Sequence, residues 1–181
     1  CSSDLFKKLV AIIRLAVPYT GMIISTREEP GFRDEVISVG ISQMSAGSSV
    51  DVGGYVNEYG EQPKRESAQF DVGDTRSPIE ILKCLCKDGY IPSYCTACYR
   101  QGRTGERFMS LAKTGNIHNV CLPNAIMTFE EFLMDYADDE LREIGEKTIE
   151  KNLKDIESEK AREETLRRLE RIKNGERDLY F

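Results

Sequence analysis

No apolar run in this sequence is long enough to cross a bilayer. The longest, Leu9 to Val17, is broken by Arg14, whereas a helical span needs about 20 apolar residues. The same run sits where an amphipathic helix fits, so it does not read as a secretion leader either. A surplus of positive charge is also missing. The formal net charge is -6 with both signs mixed, which argues against a nucleic-acid binder, since the electrostatic footprint of such a protein is basic. Histidine occurs once, as His118, so imidazole can supply one ligand to any metal site. Nor does the sequence begin with methionine. It opens on Cys1, and the expectation is a chain processed, tagged and cut, or taken out of something longer.

What is present is enough for a real core: 181 residues, 40% of them hydrophobic, a size that allows one or two domains. Six cysteines without an export signal suggest a reducing, cytoplasmic setting, where clustered thiols bind metal more often than they pair with each other.

Apolar residues at Leu5, Leu9, Ile12, Ile13 and Ala16 predict a helix over 4–17, closed by Pro18. Gly21-Met22-Ile23-Ile24-Ser25-Thr26 is a short continuous apolar run suited to a strand covered on both faces, and it delivers Arg27 at its end. A helix starting at Pro30 is expected to reach Val39 and stop at Gly40, and Ile41 to Ser45 offers a second strand. Helix and strand alternating with short connections mark a parallel sheet with crossover helices. Two strands cannot form such a sheet alone, so a preceding portion of the protein is expected to supply the rest. Residues 46–76, rich in Gly, Ser, Asp and Gln, read as an irregular connector. Ser77, Pro78 and Glu80 predict a helix start, with Gly89 as its end. Thr128-Phe129-Glu130-Glu131 reads as a capping-box start, followed by helical pattern to about Lys173. The predicted organisation is therefore α/β over residues 1–76, then a mainly helical domain over 77–181.

The most specific feature is Cys95-Thr96-Ala97-Cys98, followed after twenty-two residues by Cys121. Two cysteines two residues apart can aim both sulfurs at one centre, and a third completes the face. From spacing alone two metal-binding readings stand ahead of unliganded thiols. Cys95, Cys98 and Cys121 could hold an iron-sulfur cubane with one iron free of protein ligand, or the same three with His118 could form a Cys3His zinc site within a helical interaction module. Between the cysteines, Arg100, Arg103 and Arg107 could stabilise electron-rich sulfur, or could simply open the helix that continues through Phe108 and Leu111. Cys84 and Cys86, two apart on a helix, point to different sides and read as small buried hydrophobes.

On Ile24-Ser25-Thr26-Arg27-Glu28, Ser42 to Ser48, Gly53-Gly54-Tyr55, the cysteine spacing and the terminal Asn174 to Phe181, the chain resembles the C-terminal part of the HydG family. These are radical S-adenosylmethionine (radical SAM) tyrosine lyases that mature FeFe-hydrogenase. The resemblance implies the last strands and helices of a (β/α)8 TIM barrel, followed by a helical domain holding an auxiliary 4Fe-4S cluster on Cys95, Cys98 and Cys121. That cluster can carry an additional labile iron, whose barrel ligand would lie upstream. It also implies a second 4Fe-4S cluster and S-adenosylmethionine in the full-length protein, tyrosine as substrate, dehydroglycine as the product converted to carbon monoxide and cyanide, and other hydrogenase maturation proteins as partners. Arg27 is the candidate for pairing with the tyrosine carboxylate, and Ser42 and Ser45 are candidates for hydrogen bonds to substrate or S-adenosylmethionine. The CxxxCxxC motif of the radical-generating cluster is absent from this sequence, so the chain alone is expected to be inactive.

Overall fold

The structure is a computed structural model that describes residues 3–50 and 70–181. It is mostly helical with one small parallel sheet, and it divides into two compact units, 1–81 and 82–181. The Gly53-Gly54-Tyr55 segment and most of the expected connector lie outside the described residues.

In the first unit, helix α1 (Ser3–Ala16) leads to strand β1 (Ile23–Ile24), helix α2 (Pro30–Val39) and strand β2 (Gln43–Met44). The strands pair in parallel, Ile23 with Gln43 and Ile24 with Met44. Each is shorter than its apolar run because the flanking groups bond singly: Ser45 N–H reaches Ile24 O at 3.0 Å, and Asp74 N–H reaches Thr26 O at 2.9 Å. Val10, Ile24, Val36 and Ile41 form the core, with Phe6, Met22, Phe32, Val39 and Met44 around it. Proline opens α2, and Gly40 closes it at φ 137 with its N–H bonded to Ile37 O and Val36 O. A side chain at Gly40 would meet Arg14, whose Nε and Nη2 donate to the Gly40 carbonyl at 3.1 and 2.7 Å. Glycine therefore answers both the left-handed backbone and the close approach.

Helix α3 (Pro78–Lys87) starts as its sequence predicts. Ser77 and Glu80 cap each other's backbone N–H groups, at 2.7 Å to Glu80 Oε2 and 3.3 Å to Ser77 Oγ, which is a capping box.

The second unit carries α4 (Ala97–Arg100), α5 (Gly105–Lys113), α6 (His118–Tyr136), α7 (Asp139–Leu153) and α8 (Glu159–Lys173). The predicted start at Thr128 is overturned. Thr128 lies inside α6, and its hydroxyl donates to the carbonyls of Asn124 at 2.9 Å and Ala125 at 3.2 Å, a mid-helix bond that mimics a capping residue in sequence. Pro123 sits in the second turn of α6, where it has no N–H to give to the carbonyl four residues back, so the helix runs on with one bond fewer. Ile126, Met127, Phe129 and Leu133 are buried along α6, and α7 and α8 pack onto it. Gly145 lets α7 approach, since a Cβ there would stand 2.7 Å from both Leu133 methyls and 3.2 Å from Phe129. The single helical stretch expected to Lys173 is thus three helices. Asp138 caps α7 through its Oδ1 at 2.8 Å from Leu141 N, and Ser158 caps α8 at 3.3 Å from Ala161 N. Among the described residues no helix is long and apolar enough to cross a membrane.

Candidate metal centre

Cys95 precedes α4, Cys98 lies within it, and Cys121 falls in the first turn of α6 rather than in a loop ahead of a later helix. The Cys95 sulfur accepts the Ala97 N–H at 3.4 Å. That contact closes a tight turn and leaves the next residues free to start α4. After Arg100 the chain reverses through a Schellman motif: Gly102, at φ 61, donates its N–H to Tyr99 O at 3.2 Å, and Arg103 donates its N–H to Cys98 O at 2.8 Å. The backbone of Arg103 is thereby tied to that of Cys98.

All three cysteines are free thiols, Cys95 and Cys98 half-buried and Cys121 exposed. The Cys121 thiol is pushed above its ordinary value, first by desolvation at the sulfur and then by the charges of Cys98 and Cys95, while Arg103 pulls it the other way. The three sulfurs and one guanidinium thus share an electrostatic neighbourhood. Among the described residues, no three such side chains are close enough to hold a metal ion as they stand. Three thiols repelling one another beside a cation still form a donor set of the kind that iron-sulfur clusters take, because thiolate is the ligand and the cluster's irons offset the mutual repulsion. His118 begins α6 and is exposed, and it does not figure among the charges acting on Cys121.

A cavity of about 510 Å³ opens beside Cys95, lined by Tyr94, Phe132, Tyr136 and Tyr180 together with Arg100 and Arg177. Tyr94 stacks on Phe132 at 5.1 Å between ring centroids. Four charged members of its wall are paired, Arg100 with Asp178 and Arg177 with Asp135 at 2.6 Å, and Glu131 accepts the Asp178 N–H at 2.7 Å. The final residues form a strap over this region. Phe181 N–H donates to Asn124 Oδ1 at 2.8 Å, Arg168 Nη1 donates to Tyr180 O at 2.7 Å, and Arg103 Nη2 donates to Phe181 O. The sequence offered no signal for this role, because aromatic residues near a chain end carry no periodicity.

The sites expected in the first unit are placed more loosely. Arg27 is exposed, and its guanidinium lies over the Phe70 ring at 4.0 Å. Asp34, a neighbour that could have taken it, is held instead by Arg76 through two bonds of 2.9 Å. The Ser42 hydroxyl accepts Met22 N–H at 3.1 Å, so it serves the backbone. Ser45 accepts Arg33 Nη2 through its carbonyl. Sequence reasoning missed the fully buried Arg33–Asp74 pair, which Arg76 joins at 2.7 Å. Burial alone would raise the Asp74 carboxyl, but hydrogen bonds from Arg76 and Arg33 hold it down at about 2. Cys86 is buried, and burial pushes its thiol up to about 11, as suits an inert core residue.

The family model described as Biotin and Thiamin Synthesis associated domain matches residues 1–91, and the chain belongs to that family, found in the C-terminal part of radical SAM enzymes. Within it the resemblance is to the hydrogenase maturase HydG. A crystal structure of HydG, described as a maturase of the [FeFe]-hydrogenase, is 65% identical over the whole of this chain with a TM-score of 0.90, and the chain covers 38% of it. HydG from Carboxydothermus hydrogenoformans is 36% identical with a TM-score of 0.66, over 94% of this chain and 34% of that one. Two curated relatives are named 2-iminoacetate synthase. The one from Salmonella typhimurium is 38% identical over 48% of the chain and 22% of its own length, and the one from Escherichia coli 34% identical over 54% and 25%. The chain therefore spans about a quarter of these curated relatives and little more than a third of the solved structures.

Proposed function

We propose that this chain is the C-terminal part of a radical SAM tyrosine lyase of FeFe-hydrogenase maturation, and that Cys95, Cys98 and Cys121 bind its auxiliary 4Fe-4S cluster. The observation that carries the reading is the 65% identity to HydG along the whole length of the chain, with the ligand spacing of Cys95, Cys98 and Cys121 in support. In this reading residues 1–76 close a (β/α)8 barrel, residues 77–181 form the cluster domain, and the missing strands, the SAM-cleaving cluster and any ligand to an extra iron lie outside this chain.

When bound, the auxiliary cluster supplies an iron without a protein ligand, the chemistry that turns dehydroglycine into carbon monoxide and cyanide. The chain's own part is to present three thiolates and shape the access to them. Cys95 and Cys98 are set by the turn and short helix α4, and Cys121 by the start of α6. The cavity beside Cys95, about 510 Å³, is wide enough for a two-carbon fragment. Arg27, exposed at the end of β1, keeps guanidinium donors for the tyrosine carboxylate. Ser42 is the weaker candidate because its hydroxyl already serves Met22.

Anaerobic reconstitution of the full-length protein with iron and sulfide should give two cluster signals by Mössbauer and EPR spectroscopy. Cys95→Ser, Cys98→Ser or Cys121→Ser should each remove one signal and leave the other. A second metal that proves to be a single zinc, lost on His118→Ala, would replace this reading with the Cys3His module.

A further inference from the structure

Three arginines lie between the second and third cysteines, and the structure separates their roles. Arg100 is spent: it pairs with Asp178, and its guanidinium lies 4.6 Å from the Tyr180 ring centroid. Arg107 is exposed and donates to Gln101 O at 3.0 Å. Arg103 differs from both. Its backbone is fixed to Cys98 O by the turn at Gly102, and one terminal nitrogen is fixed to Phe181 O by the strap. Its Nε is buried without a hydrogen-bond partner among the described residues.

An orphaned buried donor on a cation is costly, and such a group in a native protein calls for an acceptor. The nearest candidate acceptors are the sulfurs of the cysteine site, because the Arg103 N–H is bonded to Cys98 O at 2.8 Å and the side chain starts from that turn. With its Nη2 held by the strap and its backbone held by Cys98, the side chain has little freedom to turn elsewhere. The strap is in turn locked, by Asn124 of α6 and by Arg168 of α8, whose guanidinium also lies 4.3 Å from the Phe181 ring centroid.

We infer that Arg103 is the counter-cation of the cysteine site: its buried Nε–H donates to a sulfur of the thiolate-bound centre, and its charge sets how readily that centre accepts an electron. The inference rests on the proposed cluster. A fixed positive charge close to a metal-thiolate centre favours its more negative, reduced form, and guanidinium suits the place because it stays charged even where solvent is excluded. Seated by the strap, Arg103 also makes the last residues of the sequence part of the electrostatics of the metal site.

The test is a redox titration of the reconstituted full-length protein, following the auxiliary cluster by EPR. Arg103→Gln should lower its midpoint potential and change its EPR line shape. Arg103→Lys, which keeps the charge and loses the Nε–H, should hold the potential near the wild-type value with an altered line shape. Arg107→Gln should leave the potential unchanged, because Arg107 faces solvent. If Cys121→Ser removes neither of the two cluster signals of the wild type, the cluster assignment itself fails. If that signal depends on Cys121 and Arg103→Gln leaves both potential and line shape alone, only the role of Arg103 fails. A shift of the same size in Arg107→Gln would likewise show that the site answers to net charge and not to Arg103. Should Arg103→Gln lose the cluster outright, Arg103→Lys decides: a retained cluster at wild-type potential supports the charge role, and a lost one overturns it.

Discussion

Two buried carboxylates show how neighbours fix the sign of a charge's effect. Asp74 is fully buried but receives Arg33 and Arg76, and its carboxyl is held at about 2 against an ordinary 3.8. A depressed carboxyl contributes stability that is complete above the unfolded value and is lost as pH falls through the folded one. Its share should therefore disappear between about pH 4 and about pH 2. Asp74→Asn leaves the Arg33 charge buried without its partner, a loss on the order of 3–5 kcal/mol, visible as a lower urea midpoint at neutral pH and as a weaker acid transition. Glu130 has the opposite sign. Desolvation is the largest influence and raises its carboxyl above 4.5, with Lys173 opposing and Glu146 adding to the rise; Lys173 stands 3.7 Å away and half exposed. A raised carboxyl helps below its unfolded value and loses that help as pH rises through the folded one. Glu130→Gln should therefore raise the melting temperature at neutral pH, with the gain fading below about pH 4.5. A loss at neutral pH that fades in acid would mean that Lys173 outweighs the burial.

At the scale of elements, helix ends test which capping signals are real. Asp138 caps α7 through its bond from Leu141 N–H at 2.8 Å, so Asp138→Ala should cost about 1 kcal/mol by denaturant melting. Thr128 sits mid-helix, and Thr128→Ala should stay within about 0.5 kcal/mol of wild type. A loss at Thr128 matching that at Asp138 would restore the predicted helix start there. The contrast shows what the sequence could carry. Helices α1, α2 and α3 were legible because their ends are local events: Pro30 and Gly40 fix backbone angles, and Ser77 with Glu80 closes a box within four residues. The start of α6 was not, because Thr128 and Glu130 have the residue types of a cap, while Pro123 six residues into the helix argues against one. Only packing decides, with Ile126, Met127 and Phe129 all buried on one continuous helix. The candidate site was legible to the same depth. Spacing singled out Cys95, Cys98 and Cys121, since ligand spacing is local. Spacing could not choose among Arg100, Arg103 and Arg107, whose difference lies in contacts with residues 178–181 far along the chain. The Arg33–Asp74 pair escaped for that reason too, forty-one positions apart.

For the whole molecule, the first unit shows an incomplete surface. Its sheet has two strands among the described residues. Helix α1 packs one apolar side on α2, where Phe6 meets Phe32 at 5.3 Å, and leaves Leu5, Leu9, Ile12 and Leu15 exposed on another. A contiguous apolar stripe of this kind on a monomer marks a surface meant to be covered. In the proposed reading the preceding part of the barrel covers it, and that part also carries the cysteines that cleave S-adenosylmethionine. Binding energy and positioning within this chain cannot replace that source of the radical. The chain alone, reconstituted with iron and sulfide and given tyrosine, S-adenosylmethionine and dithionite, should therefore yield no p-cresol by chromatography, while the full-length protein does. It should nevertheless bind iron through Cys95, Cys98 and Cys121, since every residue that orients them lies within 82–181. p-Cresol from the isolated chain would refute the division of labour between the two parts, and failure to take up iron while folded would show that the cysteine site needs the barrel to close.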